Sequence, residues 1–179
     1  MEKFERKDPL FSLCGLNCGL CTMKLGNFCQ GCGHGNKPCK VARCGMEHKI
    51  EYCFQCSEYP CQIYDYVDEY DSFITHLNQK SDLRKAKEIG IEAYSLQQSE
   101  KAELLKTLLS EYNSGREKTL FCLAVNLLDI TCIKKVLDEG KQNTANMTVK
   151  DKAKYISARL REIAKENHIE LKLRKKIKC

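Results

Sequence analysis

The chain has 179 residues, 42% of them hydrophobic and 30% charged, with a net charge of +6 and no Trp. That length admits one compact domain or a small module beside a helical one. It contains no apolar run of about eighteen residues that would span a membrane, and the charged stretch Met1 to Leu10 lacks the apolar core of an export signal.

The expected location is therefore the cytoplasm. Thirteen Cys is far above ordinary usage, and ten of them fall between Cys14 and Cys61. A reducing cytosol keeps thiols free, so short cysteine spacings predict soft-metal binding in preference to a disulfide framework.

In chain order, residues 11–61 read as an irregular, cysteine-rich zinc-knuckle module. Gly31-Cys32-Gly33-His34-Gly35-Asn36 is turn chemistry, and large apolar residues are few. Such a segment needs metal to offset its chain entropy. Residues 62–173 read as a helical domain packed on the module, and 174–179 as a basic tail that frays. The fold class expected is mainly α, with few short strands.

Pro60 suits a first helical turn, and Ile63, Tyr66, Val67, Tyr70, Ile74 and Leu77 follow at helical spacing. Asp65, Asp68, Glu69 and Asp71 would be the exposed acidic face of that helix. A second helix is predicted from Ser81, as N-cap, to Gly90, as C′ stop. Ser99 to Asn113 carries an apolar stripe through Leu104, Leu105, Leu108 and Leu109. Leu120 to Ile130, apolar almost all round, reads as the buried central helix, with a strand as the rival. Thr131 to Gly140 predicts a further helix. Thr148-Val149-Lys150-Asp151 resembles a capping box, opening a helix that buries Ala153, Ile156, Leu160, Ile163 and Ala164. Ile169, Leu171 and Leu173 alternate with charged residues, as in a short strand.

The chemistry lies in Cys14, Cys18, Cys21, Cys29, Cys32, Cys39, Cys44, Cys53, Cys56 and Cys61. Three C-x2-C pairs occur among them: 18/21, 29/32 and 53/56. Two intervening residues let the chain turn so that both sulfurs reach one ion, and zinc takes four thiolates at about 2.3 Å. With 39/44 the pairs supply sulfurs for about two zinc ions. Cys14 and Cys61 remain to replace a pair member, to bridge ions or to complete a third site with His34 or His48. Both histidines otherwise read as solvated loop residues. Sequential and interleaved groupings both fit. Cys122 and Cys132 read as packing residues and Cys179 as an exposed terminus. Cys61, after Pro60 at a helix start, reads as a buried ligand, with a reactive thiolate as the alternative.

These residues resemble a family of small cysteine-rich prokaryotic proteins catalogued as domain of unknown function 3795. The likeness rests on Cys14-Gly15-Leu16-Asn17-Cys18-Gly19-Leu20-Cys21, Cys29-Gln30-Gly31-Cys32 and Cys39-Lys40-Val41-Ala42-Arg43-Cys44. It continues in Tyr52-Cys53-Phe54-Gln55-Cys56-Ser57-Glu58-Tyr59-Pro60-Cys61 and in Lys87-Glu88-Ile89-Gly90-Ile91-Glu92-Ala93-Tyr94. It covers residues 14–98. A further knuckle that many members carry after the last stretch is missing from this chain. The resemblance implies metal binding by the cysteines and no reaction.

The leading expectation is a zinc-binding protein whose closed four-cysteine sites support an interaction surface for a protein partner, without catalysis, since saturated sites leave no open coordination position. An alternative is an iron–sulfur protein with a [4Fe–4S] cluster at Cys14-x3-Cys18-x2-Cys21, the spacing of radical S-adenosylmethionine enzymes. The chain lacks the length and alternating strands of their barrel. Another alternative is a zinc-knuckle nucleic-acid binder, with Phe28, Tyr52 and Phe54 stacking on bases and Lys172, Arg174, Lys175, Lys176 and Lys178 supplying charge. No H-E-x-x-H cluster or phosphate loop is present.

Overall fold

The computed structural model describes residues 6–32 and 39–176. Eight α-helices form among them: α1 Thr22–Leu25, α2 Lys40–Glu47, α3 Gln62–Asp65, α4 Gln79–Ile89, α5 Ile91–Glu111, α6 Lys118–Leu127, α7 Ile130–Asn143 and α8 Val149–Glu166. The expectation of a mainly α protein holds. The short strand expected at Ile169, Leu171 and Leu173 is corrected: no strand forms among the described residues. His34, the turn residues 33–36 and Cys179 lie outside the described residues.

The chain divides into two compact units, residues 1–98 with 173–179, and residues 99–172. The division falls inside α5, between Gln98 and Ser99, and not between 61 and 62.

In the second unit, α7 packs on α8 and α6 on both. Leu120, Phe121, Leu123, Ala124 and Val125 of α6 are buried, which is why this stretch reads as apolar all round. Thr148 accepts from the Asp151 N–H and caps α8, and the five apolar positions named for its inner face are all buried. At its end His168 takes φ 56°, and the Ile169 N–H returns to the Ala164 carbonyl at 2.7 Å. That is a Schellman closure. It spends the Ile169 N–H on the helix end, where an alternating pattern would have offered it to a neighbouring strand.

The first unit is built differently. Its core joins Phe11, Leu13 and Tyr52 from the cysteine-bearing segment to Tyr64, Leu83, Ala86 and Tyr94, with Cys14, Cys32 and Cys53 among them. The helix expected from Pro60 through Leu77 shrinks to α3. Beyond it, local side-chain bonds take over the backbone. The His76 ring Nδ1 lies 2.7 Å from the Val67 carbonyl, and Asp71 accepts from the His76 N–H at 2.7 Å. Asp71 is also buried against Arg174, which donates from its backbone at 2.8 Å and its guanidinium at 2.9 Å. The acidic residues therefore form no helix face, and Arg174 is anchored where a frayed tail was expected.

Helix α4 begins after Asn78, earlier than the Ser81 cap expected, and stops at Gly90 with φ 87°. α5 starts at Ile91, eight residues before Ser99.

Candidate metal centre

Local hydrogen bonding folds the cysteine segments. Two of the C-x2-C pairs each wrap one 3-10 turn: the Cys21 N–H donates to the Cys18 carbonyl and the Cys56 N–H to the Cys53 carbonyl, both at 3.1 Å. In the third pair Gly31, at φ 107°, turns its N–H onto the Cys29 sulfur at 3.4 Å.

The loop between Cys14 and Cys18 is held from outside. Gly15 has φ 98°, and a Cβ there would lie 2.3 Å from the Gln79 carbonyl oxygen. Buried Asn17 donates to Asp82 at 2.8 Å and accepts from the Tyr94 hydroxyl at 3.0 Å. The Tyr64 hydroxyl donates to the Cys14 carbonyl at 2.9 Å. α4 and the start of α5 thus position the CxxxC loop.

Between Cys39 and Cys44 the chain is helical where an irregular knuckle was expected. Cys39 is the N-cap of α2, its sulfur accepting from the Ala42 N–H at 3.5 Å. Five residues along a helix is a rotation of about 140°, so the two sulfurs point apart and this pair is not a knuckle. Lys49, at φ 52°, closes the helix with the Ile50 N–H on the Gly45 carbonyl at 3.0 Å. Asn27 closes α1 in the same way at φ 59°.

The ten cysteines separate into two neighbourhoods. Burial pushes the Cys14 thiol up to about 12; the Ser12 hydroxyl opposes the shift and Cys32 and Cys39 add to it. Burial also raises Cys18, with Cys14, Cys32, Cys21 and Cys29 adding in that order. Cys44 is raised by burial and then by Cys61 and Cys56. Cys53 lies between the two: burial raises it first, then Cys14, Cys61, Cys44 and Cys32. The first neighbourhood is thus Cys14, Cys18, Cys21, Cys29, Cys32 and Cys39. The second is Cys44, Cys53, Cys56 and Cys61. At Cys14, Cys18, Cys44 and Cys53 an ionised thiol meets its neighbours' negative charge, and a bound cation would reverse that penalty.

The second neighbourhood surrounds a cavity of about 20 Å³, which Cys44, Cys53, Cys56 and Cys61 line together with apolar side chains, Leu13, Ile50 and Tyr64 among them. All ten cysteines are free thiols. Among the described residues, no three His, Cys, Asp or Glu side chains are disposed to hold a metal ion as they stand. The thiols are gathered, and an ion would have to draw their sulfurs inward to about 2.3 Å.

His48, read as a solvated loop residue, is the exposed C-cap of α2; its Nδ1 lies 2.9 Å from the Cys44 carbonyl oxygen and 3.6 Å from the Cys44 sulfur. Cys61 caps α3 through its carbonyl and makes no side-chain cap bond, and that helix has only four residues. Cys122 is buried in α6. Tyr52 is in the core, stacked on Phe54 at 5.5 Å, while Phe28 is 79% exposed.

A second groove opens beside the small cavity. Cys44, Cys56 and Cys61 line it with Lys40, Arg43, Glu47 and Glu58. The α2 members stand at i, i+3, i+4 and i+7, one face of a helix. That signal is present in the sequence and emerges once residues 40–47 are read as helix.

Comparison with protein-family models, with curated proteins and with solved structures finds no match for this chain.

Proposed function

We propose that this chain is a zinc-binding protein in which the two cysteine neighbourhoods hold about two ions, one each, and the metal fixes the fold of a surface offered to a protein partner. The observation that carries the reading is the convergence of Cys44, Cys53, Cys56 and Cys61, from α2, the 3-10 turn and the start of α3, on one cavity of about 20 Å³. The donor set fits zinc: four soft sulfurs, no competing carboxylate in the cavity wall, and room for one small ion. Cys14, Cys18, Cys32 and their neighbours form the other candidate donor set. In both, zinc would supply folding free energy, with the coordination shell filled by thiolates.

A second reading belongs to the first neighbourhood. Cys14, Cys18 and Cys21 stand together with Cys29 and Cys32 around them, enough thiols for a [4Fe–4S] cluster. A radical-enzyme barrel is not part of it, since no strand forms among the described residues.

Elemental analysis of protein purified with and without oxygen tests both. About two zinc ions per chain, retained on gel filtration, is the expected result. Stoichiometric iron with a brown colour would replace zinc by the cluster. Absence of any bound metal under both conditions, with the fold intact, would end the proposal.

A further inference from the structure

The second unit carries a charge pattern that the zinc reading leaves unused. Helix α8 exposes Lys150, Lys154, Arg161 and Lys165. At about 100° per residue these four fall within about 60° of one another around the axis, over about 22 Å of its length. The buried residues Ala153, Ile156, Leu160, Ile163 and Ala164 occupy another face. Asp151, Glu162 and Glu166 share a third. On that acidic side the helix meets α7: Arg159 donates to Glu139 at 2.8 Å, and Asn143 donates to the Tyr155 hydroxyl at 2.9 Å. The basic row is thus turned away from α7. Lys154 has one loose ion pair, with Asp151 at 3.7 Å. Among the described residues Lys150, Arg161 and Lys165 have none.

The row ends in a recess. Arg161, Lys165 and His168 line an open groove of about 480 Å³ together with Ala164, Ile169 and Leu171. Glu170 is its one acid. The groove follows from the closure at His168, which turns the chain so that Ile169 and Leu171 stand beside the last turns of α8. Its volume lies within the range of small-molecule sites, about 300 to 1,000 Å³.

A partner matched to this surface is a narrow polyanion that also carries a flat, weakly polar group. A single strand of nucleic acid has both, phosphates in a row and bases free to leave the stack. A duplex keeps its bases stacked and offers none to the groove. An anionic bilayer is a plane and would meet Asp151 and Glu162 along with the lysines. The row also lacks the large apolar side chains that enter a membrane interface, its inner neighbours being Ser157 and Ala158. An acidic peptide matches the row and leaves the groove unfilled.

We propose that α8 and the groove at its end bind single-stranded nucleic acid. Lys150, Lys154, Arg161 and Lys165 take its phosphates. One unstacked base enters the groove, against the Arg161 guanidinium plane, Ile169 and Leu171. The proposal goes beyond the zinc reading and does not rest on it, since every residue it uses belongs to residues 99–172.

The test is fluorescence anisotropy of the full chain with a labelled oligouridine of about 12 nucleotides, within the about 4–16 that such surfaces cover. Binding is expected at about 50 mM salt, with log K falling against log salt at a slope of about −3, as for four phosphates of a single strand. Arg161→Gln and Lys165→Gln should each flatten the slope by about 0.7. Arg161→Lys keeps the charge and loses the plane, so it should keep the slope and weaken binding about fivefold or more. Phe28→Ala and Lys175→Gln, outside this surface, should change neither. All these positions are exposed, and retained circular dichroism checks that the variants fold. No binding at about 50 mM salt, or a slope that Arg161→Gln and Lys165→Gln leave unchanged, would overturn the proposal. So would competition as strong as the strand's by oligoglutamate of equal length, which would assign the row to an acidic protein, or by anionic vesicles. Zinc is counted on the same samples. A metal-free, folded chain that binds the strand keeps this proposal and ends the zinc reading; a zinc-loaded chain that ignores the strand does the reverse.

Discussion

The two units bury their interiors with different materials. Residues 99–172 close around Leu105, Leu108, Phe121, Val125, Ile133, Val136, Ile156 and Leu160, side chains that are apolar under all conditions. The other unit places Cys14, Cys32 and Cys53 in its core beside Phe11, Leu13 and Tyr94. A protonated thiol is a small hydrophobe and packs as one; an ionised thiol is a metal ligand. The interior of the first unit therefore gathers several thiols that can ionise around one ion, whereas the buried thiol of the second, Cys122, sits among apolar side chains of α6. Metal content should act on one unit and pass over the other.

Metal removal is the sharpest way to break that contrast. Structural zinc carries on the order of 10 kcal/mol of folding free energy, comparable to the whole stability of a small domain. Exhaustive chelation of the full chain should strip hydrogen-exchange protection from residues 6–98 and leave α6, α7 and α8 protected. If residues 6–98 stay protected with no ion bound, the apolar part of their core suffices and the thiols are packing groups.

The reciprocal perturbation is Ile156→Ala. Ile156 is fully buried in α8, with its terminal carbon 2.7 Å from where a Cβ on Gly140 would stand. Truncation should cost about 2–5 kcal/mol, read in denaturant titration of the second unit. Zinc stoichiometry should not change. A parallel loss of zinc would mean that the two interiors are energetically one.

Gly15→Ala comes next in size and strikes the first unit through its backbone. The left-handed φ of 98° costs a non-glycine residue about 1–2 kcal/mol, and the new Cβ would meet the Gln79 carbonyl oxygen at 2.3 Å. Relieving that contact adds about 1–3 kcal/mol and displaces Cys14. The variant should unfold earlier and bind its first-neighbourhood ion more weakly, while the Cys44 group keeps its own. Uniform weakening at both sites would show that Cys53, between the groups, couples them.

How much of this was readable in advance follows the same divide. In the second unit hydrophobic period and the Thr148 cap carried the answer, and α6, α7 and α8 lie where the pattern put them. Apolar side chains decide burial by themselves, so period suffices. In the first unit the cysteine list was plain and the grouping was not. Cys39 and Cys44 look like a knuckle by spacing, yet α2 turns them apart. Cys53 is sequence-adjacent to Cys56 and spatially close to Cys14 as well. Those relations depend on Asn17 and Tyr64, whose bonds to distant partners leave no periodic trace, and on the close approach of Gly15 to the Gln79 backbone. The stretch after α3 failed as a helix for a related reason: Asp71 and His76 bond the backbone locally.

The smallest expected effect concerns that stretch and tests whether its polar pairing belongs to the first unit's stability. Burial alone would raise the Asp71 carboxyl; the hydrogen bonds from the Arg174 side chain and backbone and from the His76 N–H outweigh it and hold the group below the ordinary aspartate value of 3.8. A carboxylate with a lowered folded value stabilises the fold above its unfolded value, and the contribution disappears as pH falls through the folded one. Arg174 is 37% exposed in its side chain, so solvent screens the pair and Arg174→Ala should cost only about 1 kcal/mol near neutrality. The gap in unfolding free energy between wild type and variant should stay constant at neutral pH and narrow only as pH drops below 3.8. Zinc-bound thiolates also take up protons in acid, so the comparison is made between the two proteins at each pH, where the metal contribution cancels. A gap that stays constant below that value would mean that the Arg174 side chain acts through its bond to the Asp68 carbonyl and not through the Asp71 carboxylate.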